Sequence, residues 1–114
     1  MQMTCKLKKR TLIIALDGEL DHHTAGQIRG MIEEAVTEKK AKHLILDFSA
    51  LRFMDSSGIG MVIGRYKLIK SLGGALFLVC SGGRIEKLIT LSGLSRLIPV
   101  CKSVDEALAN IKEG

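Results

Sequence analysis

Apolar and polar positions alternate over residues 3 to 8, with Met3, Cys5 and Leu7 on one side and Thr4, Lys6 and Lys8 on the other. That period of two predicts an edge strand with one wet face. After a turn at Lys9-Arg10, the nearly unbroken run Leu12 to Leu16 predicts a strand covered on both sides, so the two form a hairpin. Gly18 is expected to end the second strand. Glu19 to Thr24 then lead into a helix whose apolar positions, Ala25, Ile28, Ile32, Ala35 and Val36, follow the i, i+3, i+4 rule. Its start is capped either by Thr24 with Gln27, as a capping box, or by Asp21.

His43 to Phe48 predicts another buried strand, and Ser49 to Asp55 the loop that follows it. A second helix, Ser57 to about Leu72, turns Ile59, Val62, Ile63, Tyr66 and Ile69 inward along one stripe. Gly60 and Gly64 lie one turn apart on its other side, beside Met61, Arg65 and Leu68. Glycine inside a helix costs about 1 kcal/mol relative to alanine. Something must therefore approach that surface closely: either the domain's own sheet or another protein.

Gly73-Gly74 ends this helix, Ala75 to Cys80 forms the fourth strand, and Ser81-Gly82-Gly83 opens a short helix bearing Ile85, Leu88 and Ile89. Ser92-Gly93 closes it. Leu97 to Val100 is expected as a last strand, confined to an edge by Pro99. Ser103 and Glu106 form a capping box for a final helix with Val104, Ala107, Leu108 and Ile111 inward. Strands alternating with helices after a hairpin specify one α/β domain over residues 1–114, with a mostly parallel sheet and about four helices. Right-handed crossovers then gather Gly18 to Thr24, Ser49 to Ser57, and Ser81 to Arg84 at one rim, where open parallel sheets present their chemistry.

Charge changes this picture little. The net +5 comes from scattered Lys and Arg, with Lys8-Lys9-Arg10 the one basic run of three and few aromatics to stack bases, so nucleic acid is not an expected partner. No segment approaches the roughly 18 apolar residues of a membrane span, and the first ten residues lack the apolar stretch of a secretory signal, so the cytoplasm is expected. Cys5, Cys80 and Cys101, odd in number and far apart, are expected to be buried reduced thiols.

Candidate chemistry centres on Asp55-Ser56-Ser57-Gly58, which suits a tight turn and a helix start. Unpartnered N–H groups and roughly +0.5 charge at a helix start tolerate an anion, including a phosphoryl group on serine. Gly58, Gly60 and Gly64 match a dinucleotide fingerprint only loosely, and no phosphate-binding GxxxxGK[ST] motif is present. No cofactor is expected. A small hydrolase or phosphoesterase would pair Ser56 or Ser57 with His22 or His23, and Asp21-His22-His23 weakly suggests metal ligands. Polar first-turn residues explain the same histidines more simply.

Three segments taken together, Gly18 to Ala25 (GELDHHTA), Phe53 to Gly60 (FMDSSGIG) and Gly64 to Lys67 (GRYK), carry more information than any one of them. In order and spacing they resemble the STAS family, specifically its sporulation anti-sigma factor antagonists, and the resemblance spans essentially the whole chain. It implies a switch that is not an enzyme, phosphorylated on the first serine of the D-S-[ST]-G motif, here Ser56. It further implies an ATP- or ADP-bound anti-sigma factor serine kinase as partner, and a serine phosphatase that restores the unmodified form. The surface it assigns to the partner comprises Asp21, Ser57, Gly58, Gly60, Met61 and Arg65.

Overall fold

The apolar runs that begin at Leu12 and Leu44 lie side by side in the middle of a five-stranded sheet. The structure, a computed structural model, describes residues 1–111. In chain order its elements are β1 (Gln2–Lys8), β2 (Thr11–Leu20), α1 (Ala25–Glu38), β3 (His43–Met54), α2 (Ser56–Ser71), β4 (Leu76–Val79), α3 (Gly83–Leu91), α4 (Leu94–Leu97), β5 (Val100–Cys101) and α5 (Val104–Asn110). Spatial order follows sequence order, β1-β2-β3-β4-β5. β1 is antiparallel to β2, as the predicted hairpin requires, and every other pairing is parallel.

Sequential parallel strands joined by right-handed crossovers put the connecting helices on one face. There Leu12, Ile14, Leu16, Leu44, Leu46 and Phe48 join Ile28 and Ile32 of α1, Val62 and Ile69 of α2 and Ile89 of α3 in the main core. The intervening residues point the other way, as the period of a strand demands. Ile45, Phe77 and Val79 form a smaller core with Cys101 and with Ala107 of α5, which covers the opposite face.

Both central strands run further than the apolar pattern indicates. Gly18 does not end β2; the strand continues to Leu20 through an irregularity in register between Gly18 and Glu19. Glycine suits such a bulge, and its φ of +133° is one that side chains rarely adopt. Ser49 to Met54 is not a loop but the second half of β3, which pairs with β2 as far as Leu20↔Met54, well past the end of its pairing with β4 at Asp47↔Val79. An exposed Arg52–Asp17 ion pair of 2.9 Å spans this overhang and, being exposed, adds little to stability.

Further differences are local. Leu97 belongs to the short helix α4, a fifth helix, and the last strand is reduced to Val100–Cys101 at the sheet edge. Cys5 is exposed rather than buried, because β1 packs almost none of its surface against the core; Cys80 and Cys101 are buried, and all three thiols are free. Burial, reinforced by Glu86, pushes the Cys80 thiol up to about 11. The final capping box is shifted: the Ser103 hydroxyl accepts from the Glu106 N–H at 3.1 Å, while the Glu106 carboxylate accepts from the N–H of Lys102.

Gly73 and Gly74 do end α2, with Gly73 at a φ of +79°. Gly74 is needed for closeness. The entry to β4 passes so near the Lys42 carbonyl that a Cβ on residue 74 would overlap its oxygen. Both atoms are backbone, so Gly74→Ala is expected to destabilise the domain by at least about 2 kcal/mol in urea unfolding, an overpacking cost that no side-chain rotation relieves.

Candidate functional site

The β2–β3 overhang delivers two helix starts to one place. Leu20 pairs with Met54, and the Asp55 N–H donates to the Leu20 carbonyl at 3.3 Å, so the turn into α1 and the turn into α2 begin side by side.

At the start of α2, Asp55 is the N-cap. Its backbone is extended and its carboxylate accepts from the Ser57 N–H at 2.8 Å, satisfying one of the donors a helix start leaves open. Ser56 is thereby the first helical residue, and it is exposed. Gly58, one turn in, is buried because the helix start rests on the strand ends: an added Cβ would come within 2.5 Å of Met54 Cγ and 3.1 Å of Leu20 Cδ2. A glycine at 58 is what lets the serines sit directly over the end of the sheet.

At the start of α1, Asp21 rather than a Thr24-Gln27 box organises the turn. Its Oδ1 accepts from the N–H groups of His23 at 2.9 Å and Thr24 at 3.1 Å. The Thr24 hydroxyl donates to the Glu19 carbonyl at 2.8 Å and accepts from the Asp21 N–H at 3.0 Å. Desolvation, the largest single influence on the Asp21 carboxyl, pushes its pKa up. The N–H and hydroxyl donors together outweigh it, so the pKa lies below its ordinary value. His22 and His23 are exposed, their rings 3.9 Å apart, and neither hydrogen-bonds to Ser56 or Ser57. The nucleophile–base contact of a serine hydrolase is not formed. Among the described residues, no three His, Cys, Asp or Glu side chains assemble as a metal site, and Asp21-His22-His23 lies in the turn into α1.

The inward stripe of α2 is rotated from the expected one. Gly58, Met61, Val62, Arg65 and Ile69 are buried, whereas Ile59, Ile63 and Tyr66 are only partly so. Of the residues assigned to a partner surface, Asp21, Ser57 and Gly60 remain accessible, while Gly58, Met61 and Arg65 are covered. The cause is Gly58, which needs the sheet end beneath it and so turns Met61 and Arg65, three and seven residues on, toward α1. Arg65 reaches Glu33 of α1 with a 2.9 Å ion pair.

Gly60 and Gly64 do not pack on the domain's own sheet. A Cβ at either would meet nothing within 4 Å, and the same holds for Gly26 and Gly30 of α1. Between the two helices runs a groove of about 330 Å³, lined by Gly26, Arg29, Ser57, Gly60, Gly64 and Arg65 among others. Sequence reasoning missed the α1 half of this groove, although the glycines at 26 and 30 repeat the one-turn spacing of Gly60 and Gly64.

A serine-bearing helix start over a mostly parallel sheet, with a smooth helical surface beside it, is what this small α/β domain presents to its surroundings. The chain belongs to the STAS domain family, which it matches over residues 2–107. It is 35% identical over 112 residues to the anti-sigma F factor antagonist of Paenibacillus polymyxa, covering 98% of this chain and 96% of that one. With the anti-sigma F factor antagonist of Lysinibacillus sphaericus it shares 37% identity over 86 residues, 75% of this chain and 74% of the relative. Among solved structures, the phosphorylated form of the Bacillus cell fate determinant SpoIIAA superposes with a TM-score of 0.73 at 31% identity, covering 97% of this chain and all of that one. The unphosphorylated form of SpoIIAA gives 0.72 at 29%, covering 96% of each chain. Like these relatives, the chain is a regulator and not an enzyme.

Glycines that the fold requires and glycines that it does not are separable by experiment. Gly58→Ala is expected to lower unfolding free energy by about 1 to 3 kcal/mol through overpacking against Met54. Gly60→Ala and Gly64→Ala are each expected to raise it by up to about 1 kcal/mol, since alanine is the better helix former and meets no neighbour. Urea unfolding of the three variants reads both signs.

Proposed function

We propose that this chain is a phosphorylation-gated anti-sigma factor antagonist. In its unmodified form it docks onto an anti-sigma factor that is also an ATP- or ADP-bound serine kinase, and so releases the sigma factor. The kinase phosphorylates Ser56 and ends the association; a serine phosphatase restores it. The process controlled is sporulation transcription, in the cytoplasm. Similarity to two anti-sigma F factor antagonists, and the existence of SpoIIAA in both modification states, support this reading.

One observation carries it: Ser56 is exposed at the first position of α2, next to a helical surface that the domain leaves unpacked. A kinase can reach such a hydroxyl without unfolding anything. In the docked state the same hydroxyl would be covered, so its charge decides whether docking is tolerated. Asp21, Gly58 and Met61 act in this scheme as supports, holding the two helix starts in place, while Ser57, Gly60 and Gly64 offer the accessible surface.

The physical scale is sufficient for a switch. A phosphoryl group adds about −1.5 to −2 charge beside Asp55. An uncompensated charge at a docked interface costs about 3 to 5 kcal/mol, and each 1.4 kcal/mol is about tenfold in affinity. Loss of two to three orders of magnitude is expected. The free domain, by contrast, carries the group at the positive end of a helix, where the summed peptide dipoles favour negative charge.

Incubation with the cognate anti-sigma factor kinase and ATP, followed by peptide mapping, is expected to place phosphate on Ser56 alone. Phosphate on Ser57, or on neither serine, would overturn the assignment. Ser56→Asp is expected to weaken kinase binding by at least about tenfold while leaving the unfolding transition in place, a partial mimic of the larger phosphoryl charge. Unchanged affinity would refute the charge gate.

A further inference from the structure

Arg65 is the one buried side chain near the docking surface whose polar atoms are conspicuously unsatisfied. Its side chain is only 9% exposed, and its Nη2 is held at 2.9 Å by Glu33, a residue that is itself 47% exposed. Nε and Nη1 are closed to solvent and have no hydrogen-bond partner. A buried guanidinium with most of its donors unmet is costly to the free domain, because each donor has lost water and gained nothing in return.

The surroundings indicate what would satisfy it. Arg65 lines the α1–α2 groove together with Arg29, and no acidic residue lines that groove. Glu33 offsets part of the charge, but Arg29 adds to it. Gly26, Gly60 and Gly64 leave the groove unfilled, with nothing near the positions their Cβ atoms would occupy. The groove also reaches Ser57, adjacent to the gating serine.

We propose that the α1–α2 groove receives one acidic side chain of the docked anti-sigma factor, whose carboxylate is taken by the under-satisfied Arg65 guanidinium with Arg29 alongside. The occupant depends on the docking function proposed above. Because Nε and Nη1 are closed off in the free domain, the guanidinium turns toward the groove as the carboxylate arrives, and an unmet N–H gains a charge-assisted partner. An acidic side chain on the partner is thus recognised by charge and by the narrow space between two glycine-lined helices.

The test is calorimetric titration of purified cognate anti-sigma factor kinase, with ADP bound, by the wild-type chain and by Arg65→Gln, Arg65→Lys and Glu33→Gln, with thermal unfolding of each variant. Arg65→Gln is expected to weaken binding by at least about thirtyfold, the usual effect of truncating one member of a buried charge pair. Arg65→Lys should recover only part of the loss, since a compact, strongly hydrated ammonium is costlier to bury than a guanidinium. Glu33→Gln should leave affinity within about threefold of wild type or tighten it, whereas a purely structural α1–α2 clamp would make Glu33→Gln as damaging as Arg65→Gln. Should Arg65→Gln fail to fold, Gly26→Asp places a carboxylate in the groove from an open position, and is expected to weaken docking at least about tenfold more than the isosteric Gly26→Asn. Equal effects of those two variants, or full affinity in a folded Arg65→Gln, overturn the carboxylate site while leaving the antagonist function standing. Failure of the wild-type chain to bind the kinase overturns both.

Discussion

The parallel pairing of β2 with β3 beyond the reach of β4 is the constraint on which the site depends. Where β3 stops pairing with β4, at Asp47↔Val79, it still has seven residues to run, and β2 accompanies it to Leu20↔Met54. Two strands that end level with each other must release their chains at the same height. The Asp21 turn and the Asp55 cap therefore lie adjacent, bridged by the Asp55 N–H to the Leu20 carbonyl. Ser56, Ser57 and the α1–α2 groove lie within a few helical turns of that bridge.

From this common origin the two helices diverge, and the side chains between them settle the character of the surface. Gly58 closes down on Met54 and Leu20, which sends Met61 inward and turns Arg65 toward Glu33. The outward residues are then Ser56, Gly60 and Gly64. Buried contacts thus define the accessible helical surface as much as exposed ones do: rotating α2 by a fraction of a turn would hide the serine and expose an arginine. A sheet end and one buried glycine are enough to hold that rotation.

Much of this was legible in the amino-acid sequence, and for identifiable reasons. The hairpin, the buried strands and the capping residue Ser103 follow local rules of period and hydrogen bonding, and they lie where those rules put them, while α2 begins one residue earlier than expected, at Ser56. The overhang was not legible, because Ser49 to Met54 buries Leu51 and Met54 at a spacing of three, which matches neither a strand nor a helix; register irregularities against β2 produce it. The stripe on α2 was misjudged for a related reason. Counting apolar residues favours Ile59, Ile63 and Tyr66, yet a glycine with no side chain can lie closest to the core, and hydropathy cannot register that. The burial of Arg65 has no local signal at all, since its partner Glu33 is supplied by another helix.

Both margins of the sheet make poor templates for an added strand. β5 offers two residues behind Pro99, and β1 projects Lys6 and Lys8 into solvent. Lysines and prolines at sheet edges discourage a neighbouring chain from extending the ladder. Molecular encounters are consequently steered away from backbone zippering and toward the helical side of the molecule, which spares the domain the indiscriminate self-association that open β margins invite.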